Sequence, residues 1–306
     1  MVDKQEAAFA LAIDSNNVYW TTLVGGTVMQ APLTSEAATA APIQLANGQV
    51  SPFAIAVNFE FVYWASQAPA GQTTSVTAGQ GTVTGVRIGG TTPASIAAKQ
   101  SFPVFAIDAG VSNVFWPSAN GNAYANLSEG SPTPQQIASG QKSPNAIVIF
   151  PKTPPGQNFY ITVGGTGKSN DGAVIKNTFS FSNNKYTIGK TPVPVASNLA
   201  KPTALAIDFT NAYWVAPGAI LKAPIDGSGA ASPTTLVTAG TPYALAVDAT
   251  NVYWTDTTAG TINKVPIAGG DPVTLVSGQD TPISIAVDAA NVYWTTSSAV
   301  MRISIK

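Results

Sequence analysis

The stretch Asp248-Ala-Thr-Asn-Val-Tyr-Trp254 returns forty residues later as Asp288-Ala-Ala-Asn-Val-Tyr-Trp294. All six tryptophans of the chain occupy this frame, each preceded by Tyr or Phe and, two residues back, by Val or Ala. They are Trp20, Trp64, Trp116, Trp214, Trp254 and Trp294. A seventh copy without tryptophan lies at Asn158-Phe-Tyr-Ile161. Consecutive copies are 40 to 53 residues apart, a period that is typical of β-propeller blades.

Each unit contains four short runs with the character of β-strands. In the sixth unit these runs are residues 243–248, 252–255, 261–267 and 273–276. Gly and Pro stand between the runs, where turns are needed, and no segment shows a sustained helical period. We therefore predict an all-β fold. It is a seven-bladed β-propeller of four-stranded antiparallel blades, formed by a single domain over residues 1–306.

The first run of each unit is apolar on both faces, as an inner strand between two neighbouring blades must be. The aromatic pair on the second strand is predicted to fill the wedge between blades, because each ring buries a large apolar area. The seventh unit ends after its third strand, and alignment places residues 1–4 in the frame of a fourth strand. We predict that this N-terminal strand completes the last blade and closes the ring, which leaves no exposed edge.

Composition excludes several functional classes. Only 9% of the residues are charged, the formal net charge is −1, and no run of Lys or Arg occurs. Nucleic-acid binding and polybasic membrane attachment therefore lack the cations that they require. No apolar stretch is long enough for a transmembrane helix, so no membrane insertion is predicted. The first four residues lack the apolar run of a signal peptide, which is the form expected of a mature or excised domain.

The chain contains neither cysteine nor histidine. Disulfides, thiolate metal sites, Ser-His-Asp and Cys-His catalysis, and histidine-dependent propeller lyases are thereby excluded. No cofactor and no metal site is predicted. A Ca²⁺ site built from oxygen ligands stays open, although no recognised Ca²⁺-binding loop occurs.

An acidic residue ends most of the inner strands. The positions are Asp14, Asp108, Asp208, Asp248 and Asp288, with the neutral Asn58 in the second unit. A ring of carboxylates around a cation is one interpretation. The favoured one is structural, because an Asp followed three residues later by Asn can accept backbone N–H bonds in the turn between strands one and two.

Two sets of residues are predicted to surround the upper mouth of the channel, the end that carries the turn before each inner strand. Glutamines in that turn are suited to hydrogen bonds with sugar hydroxyls or peptide groups, or else to satisfying local backbone. One step further in, an apolar arc of Phe9, Phe53, Tyr243 and Ile283, with Asn145 in the same frame, could stack on a ligand or simply pack. The candidate ligand-binding residues are Gln49, Phe53, Gln100, Gln141, Asn145, Lys168, Asp171, Tyr243, Asp256 and Gln279.

Lys168 and Asp171 belong to the segment Gly164-Gly-Thr-Gly-Lys-Ser169 and its sequel, which partly matches a phosphate-binding loop. The glycine spacing of that motif is not met, and a strand follows where a helix is required. We therefore expect a polar hairpin tip. The fourth unit also has no Trp, carries Phe150 in the frame of the inner-strand Asp, and has a longer outer half over residues 178–190. Drift at a tolerant blade and a special function are both compatible with this divergence.

The repeat resembles the YWTD type of propeller repeat. Tyr253-Trp-Thr-Asp256 matches the tetrad in full, and the other copies drift, as in Tyr19-Trp-Thr-Thr22. The phrase Gly-Gln-x-x-Pro before the inner strand looks most like repeats in secreted or surface proteins of myxobacteria and related bacteria. The resemblance covers the whole chain and implies a propeller outside the cell. Receptor members of this group have six blades, whereas seven units are present here, so their ligand-binding residues are not carried over.

Three functions remain. The first is a non-enzymatic, extracellular or cell-surface binding module that recognises a glycan or a protein through its upper face. The second is a structural subunit of a surface assembly. The third is a polysaccharide-acting enzyme that uses carboxylates such as Asp171, Asp256 and Asp280. Fold alone does not decide between them.

Overall fold

The computed structural model describes residues 5–33, 41–68, 81–100, 106–127, 133–152, 157–166, 170–183, 185–230 and 232–306. Within these ranges the chain forms seven antiparallel sheets and no helix, so no helix of the described part could span a membrane. The sheets stand side by side around a central channel. This confirms the predicted seven-bladed propeller, and in each blade the chain passes from the inner strand outwards.

The first three blades have four strands each. Blade 1 consists of β1 (Ala8–Ile13), β2 (Asn17–Thr22), β3 (Thr27–Pro32) and β4 (Ile43–Ala46). Blade 2 consists of β5 (Val50–Val57), β6 (Phe61–Ala68), β7 (Gly81–Arg87) and β8 (Ala94–Gln100). Blade 3 consists of β9 (Asp108–Ala109), β10 (Asn113–Pro117), β11 (Ala123–Leu127) and β12 (Gln135–Ala138).

The remaining blades follow the same order, with a fifth strand in blade 4 and three described strands in blade 7. Blade 4 consists of β13 (Pro144–Phe150), β14 (Asn158–Val163), β15 (Gly172–Ser182), β16 (Lys185–Ile188) and β17 (Val193–Leu199). Blade 5 consists of β18 (Leu205–Ile207), β19 (Asn211–Ala216), β20 (Ala219–Pro224) and β21 (Thr234–Thr238). Blade 6 consists of β22 (Pro242–Val247), β23 (Asn251–Asp256), β24 (Thr261–Pro266) and β25 (Val273–Val276), and blade 7 of β26 (Ile285–Val287), β27 (Asn291–Thr295) and β28 (Val300–Ser304).

Blade 7 meets blade 1 through direct hydrogen bonds. The backbone N–H of Gln5 donates to the Ser298 carbonyl (2.8 Å), and the Thr295 hydroxyl donates to the carbonyl of Phe9 (2.7 Å). The two ends of the described chain therefore join into a closed ring. The strand predicted to complete blade 7, residues 1–4, lies outside the described residues.

The aromatic pairs fill the interfaces between blades, as predicted. At six of the seven interfaces the Tyr of one blade shares a buried cluster with the Trp of the next, and these tryptophans are at most 3% exposed. The shared clusters contain Tyr293 with Trp20, Tyr19 with Trp64, Tyr63 with Trp116, Tyr160 with Trp214, Tyr213 with Trp254, and Tyr253 with Trp294. The interface between blades 3 and 4 differs, because Phe115 faces Ile161 there.

The outer hairpin of blade 4 compensates for its missing tryptophan. β15 is long: its first half pairs with β17, and its second half forms an extra hairpin with β16. Phe179 and Tyr186 on this hairpin join the cluster of Phe115 and Ile161, with a ring distance of 5.1 Å between Phe115 and Phe179. The divergence of the fourth unit therefore has a packing role, which neither of the two interpretations made from the sequence included.

The inner-strand acidic residues stabilise turns. Asp248 Oδ1 accepts the N–H groups of Thr250 and Asn251 (2.7 Å each), and its Oδ2 accepts the hydroxyl of Tyr253 (2.7 Å). Asp14, Asp208 and Asp288 bond in the same way, and Asn58 accepts the two turn N–H groups. This agrees with the structural interpretation.

Asp108 is the exception among these acidic residues. The phenol frame of blade 3 holds Phe115, which has no hydroxyl to donate. Asp108 instead accepts the Ile149 N–H (2.7 Å) and pairs with Lys152, both from blade 4. This carboxylate therefore links two blades rather than closing its own turn.

Candidate functional site

The central channel is a concave cavity with a volume of ≈ 990 Å³. Its wall is built from inner strands, whose small and branched apolar residues face the axis. The predicted arc is present, because Phe9, Phe53, Tyr243 and Ile283 all line this one cavity. Asn145, from the same frame in blade 4, lines it as well.

The members of this arc differ in accessibility. Phe53 is only 5% exposed and packs against Phe9, so it supports the wall from behind. Tyr243 is 47% exposed, and it is therefore the ring best placed to meet a ligand. Asn145 is half-buried and uses its side-chain NH₂ on the Pro202 carbonyl (3.0 Å), which leaves its carbonyl oxygen as an acceptor.

The backbone of the rim is held by threonines of the YWTD-type frame. Thr295 Oγ1 accepts the N–H of Ser284 on its own inner strand (3.1 Å) and donates to the carbonyl of Phe9 in the next blade (2.7 Å). The same relay joins Thr255 to the Ile283 carbonyl (3.3 Å) and Thr162 to the Thr203 carbonyl (2.7 Å). In blade 5 the position is occupied by Val215, which has no hydroxyl.

The four predicted glutamines lie in the turns that precede the inner strands, on the upper face. Each donates its amide NH₂ to a carbonyl two residues earlier: Gln49 to Asn47 (2.9 Å), Gln100 to Ala98 (2.9 Å), Gln141 to Ser139 (2.8 Å) and Gln279 to Ser277 (3.2 Å). All four are half-buried. These contacts correspond to the local role considered from the sequence.

Two of these glutamines also bind the core tryptophans, a role that the sequence reasoning missed. The oxygen of Gln49 accepts the indole N–H of Trp64 (2.8 Å), and that of Gln279 accepts the indole N–H of Trp294 (2.9 Å). Gln5 does the same for Trp20 (3.0 Å). In all three cases the Gln stands fifteen residues before the Trp, and that constant spacing is the signal that could have revealed the bond.

The channel and its upper face offer few free carboxylates. Asp256 is buried and accepts N–H bonds from Thr241 (2.9 Å), Thr258 (3.2 Å) and Ala259 (2.9 Å). Burial alone would raise the pKa of Asp256, but these hydrogen bonds outweigh burial and lower it. The carboxylate therefore fixes the turn that leads from Thr241 to Tyr243.

Asp171 closes the upper hairpin of blade 4. Hydrogen bonds from the N–H (3.0 Å) and hydroxyl (2.8 Å) of Thr166 lower the pKa of Asp171, and Lys142 stands 3.8 Å away. Asp280 accepts the hydroxyl of Ser297. Lys168 lies outside the described residues. The described residues contain no cluster of Asp or Glu that could hold a metal ion.

Comparisons with known proteins describe the fold. The sequence matches no protein-family model and no curated protein. Among solved structures, a streptogramin B lyase aligns with a TM-score of 0.69 at 11% identity, covering 99% of this chain and 94% of that one. A catalytically inactive histidine-to-alanine variant of virginiamycin B lyase from Staphylococcus aureus with quinupristin aligns with the same score and identity, covering 100% and 97%.

A nidogen/laminin complex aligns with a TM-score of 0.59 at 16% identity, covering 86% of this chain and 95% of that chain. At such identities the likeness establishes the fold only. The chain is a β-propeller, similar in architecture both to an enzyme and to a protein in a binding complex.

Proposed function

We propose that this protein is a non-catalytic binding module that captures a protein or glycan ligand at the upper mouth of its central channel. One observation carries the proposal: the mouth is a broad apolar cavity with a half-exposed aromatic ring, Tyr243, on its rim. Binding sites are commonly concave and mostly apolar, with a few polar groups that orient the ligand. Asn145, two blades away in blade 4, supplies such a group at the same mouth.

The state of the carboxylates supports binding over catalysis. A glycosidase needs one carboxylic acid whose pKa is raised so that it can protonate the leaving group. The pKa values of Asp171 and Asp256 are lowered instead, and both carboxylates are occupied by hydrogen bonds from their own hairpins. One of the lyases with a similar fold is described as catalytically inactive after a histidine is replaced by alanine. This chain has no histidine, so the likeness to those lyases does not favour catalysis here.

We place the module outside the cell or at its surface. The surface carries few charges, and the repeats resemble those of secreted and surface proteins. A structural subunit of a surface assembly is the second candidate. It is favoured by apolar side chains exposed on three outer strands, namely Ile43 (52% exposed), Val193 (40%) and Val273 (49%).

Immobilised glycans and a bead-displayed peptide library test the proposal. Tyr243→Ala should weaken binding of every selected ligand about tenfold or more, as expected for an aromatic anchor. Phe59→Ala is the matched control, since Phe59 is 77% exposed at the opposite end of the ring, and this variant should bind like the wild type. Both substitutions are at accessible positions, so unfolding free energies should change by less than about 0.5 kcal/mol.

Equal binding by Tyr243→Ala and the wild type would refute the upper-mouth proposal, as would a screen in which no ligand is retained. The assembly alternative is measured separately by sedimentation of the purified protein. Defined oligomers that dissociate in an Ile43→Lys variant would favour it.

A further inference from the structure

The mouth of the channel is not symmetric. Besides the central channel, the cavity includes a part above blade 5, where Val215, Pro217 and Gly218 line it. On the blade 6 side of this extension stand Thr241 and Tyr243. We call this part of the cavity the blade 5 lobe.

Blade 5 has the shortest upper hairpin of the ring, which explains the lobe. Only Pro217 and Gly218 separate β19 from β20, whereas four residues (23–26 and 257–260) separate the corresponding strands in blades 1 and 6. A shorter hairpin places fewer residues above the rim of the channel. The mouth therefore opens sideways at this blade.

A lysine that has no ion-pair partner among the described residues stands at the lobe. Lys201 precedes the inner strand of blade 5, is exposed, and lines the cavity. Among the described residues it makes no ion pair with any carboxylate. Of the described residues that line the cavity, the other lysine is Lys152, which is paired with Asp108, the one acidic residue among them. The lobe therefore presents one cationic side chain, Lys201, that is not in an ion pair with any described carboxylate.

The repeat shows that this lysine is not required for folding. The same position holds Ala7, Ser51, Ser101, Ser143, Thr241 and Thr281 in the other six blades. Lys201 shares the left-handed backbone (φ 41°) with Ser51, Ser143 and Thr281, so that conformation belongs to the repeat. Only blade 5 places a charged side chain there.

Resting on the proposed function, we propose that the natural ligand is a peptide segment that carries an apolar or aromatic side chain next to a carboxylate. The apolar side chain enters the channel beside Tyr243, and the carboxylate pairs with Lys201 over the blade 5 lobe. A charge-assisted hydrogen bond of this kind orients a ligand as well as stabilising it. Lys201 is thus the residue that determines specificity.

A peptide fits the site better than a sugar does. Carbohydrate recognition needs several hydrogen-bonding groups around the hydroxyls, and two of the four glutamine amides on the upper face are already occupied. Gln49 and Gln279 bind a core indole and a backbone carbonyl at once. The wall of the lobe offers mainly aliphatic surface, which suits an apolar side chain.

The test uses the whole protein and a bead-displayed library of random heptapeptides with amidated C-termini. The wild type should select peptides in which Asp or Glu adjoins an aromatic or aliphatic residue. Lys201→Met, which keeps the aliphatic stem, should lose about tenfold in affinity for them. Lys201→Arg should restore the binding. Lys142→Met, at an exposed upper-face lysine that does not line the cavity, should bind like the wild type.

The outcomes separate this inference from the function on which it rests. Selected peptides that need Tyr243 but show no acidic preference, or that bind Lys201→Met unchanged, overturn the specificity assignment and leave the binding function intact. Equal loss of affinity in Lys142→Met and Lys201→Met also overturns it, because the peptide would then respond to the overall positive charge of the upper face and not to a specific contact with Lys201. Binding only of uronic-acid glycans overturns the peptide assignment, and no Tyr243-dependent binding at all overturns both.

Discussion

Trp20 in blade 1 and Tyr293 in blade 7 lie in one buried cluster, although they come from opposite ends of the chain. Both side chains are fully buried. The same Tyr–Trp pairing occurs at five interfaces within the chain, so the ring closes with the same type of packing. Closure therefore depends on side-chain packing as well as on strand pairing.

Trp20→Ala should lower the free energy of unfolding by about 3–5 kcal/mol, the usual cost of removing a buried Trp or Phe side chain. The change would open a cavity at the one interface that links the two chain ends. Urea unfolding followed by the fluorescence of the remaining tryptophans measures it. Phe59→Ala, at an exposed ring, provides the reference, and equal effects of the two variants would contradict the packing argument.

The bond between Gln279 and Trp294 predicts a pair of opposite effects. Gln279→Ala leaves the buried indole N–H of Trp294 without its acceptor (2.9 Å in the wild type), which should cost about 1–3 kcal/mol. Ala239 occupies the corresponding turn before Trp254, since its N–H bonds to Gly218 as that of Gln279 bonds to Gly260. Ala239→Gln should therefore stabilise the protein by about 0.5–1.5 kcal/mol.

Both variants are compared in thermal and denaturant unfolding, with Gln100→Ala as the control. The Gln100 side chain bonds to a backbone carbonyl, and the indole N–H of Trp116 has no acceptor among the described residues. Its removal should have the smaller effect. A larger loss in Gln100→Ala than in Gln279→Ala would count against the indole bond as the stabilising contact.

Tyr186 should be a hydroxyl-dependent anchor between blades 4 and 3. Its hydroxyl donates to Asn113, and its N–H donates to the side chain of Gln135 (2.7 Å). Tyr186→Phe leaves a buried amide oxygen without this donor, so we expect a loss of about 1–3 kcal/mol.

Tyr124→Phe serves as the comparison for Tyr186→Phe, because the Tyr124 hydroxyl bonds to the accessible amides of Asn120 and Asn122. Hydrogen exchange should rise in β10 and β16 of Tyr186→Phe alone. If the two Tyr→Phe variants unfold alike, the hairpin acts through its rings and not through this hydroxyl.

Stability should fall in acid because of the turn carboxylates. Burial would raise the pKa of Asp288, but hydrogen bonds from Tyr293, Ala290 and Asn291 outweigh it and lower the pKa. The same holds for Asp248 and Asp256. A pKa lower in the folded than in the unfolded state means that the stabilisation is complete above the unfolded value, near 4, and is lost as the pH falls through the folded one.

Stability should fall in alkali for the opposite reason. Burial, together with hydrogen bonding to Asp288, raises the pKa of Tyr293 to about 12, and burial raises that of Tyr160 to about 12. A phenol whose pKa is higher in the folded state contributes stability below its unfolded value, near 10, and loses it as the pH rises. With no histidine in the chain, side chains should contribute little pH dependence between about 5 and 9.

Denaturant unfolding between pH 2 and pH 11 measures this profile. Asp288→Asn should flatten the acid limb, because it removes one of the titrating groups. A pronounced change in stability near pH 6 to 7 would contradict the assignment.

The blades, their strands and their turns were predictable from the sequence because they depend on contacts that are local in the chain. Alternating runs specify strands, and the pair Asp248 and Asn251 specifies a turn through bonds that span three residues. The recurrence of Trp at a nearly constant interval then implies a ring, since each copy must bury the same ring against a neighbour. The apolar arc at the mouth follows from this register.

The tertiary structure alone decided which side chains remain free. Phe53 and Tyr243 share one frame, yet the first is 5% exposed and the second 47%, because their neighbours differ. Gln279 reads as a surface amide and is instead a partner of a buried indole. No sequence motif marks Lys201 as a candidate binding residue. It lines the cavity beside the two-residue hairpin of blade 5, where the rim is open. Such features depend on contacts between segments that are distant in the chain, and the periodicity of the repeat does not specify those contacts.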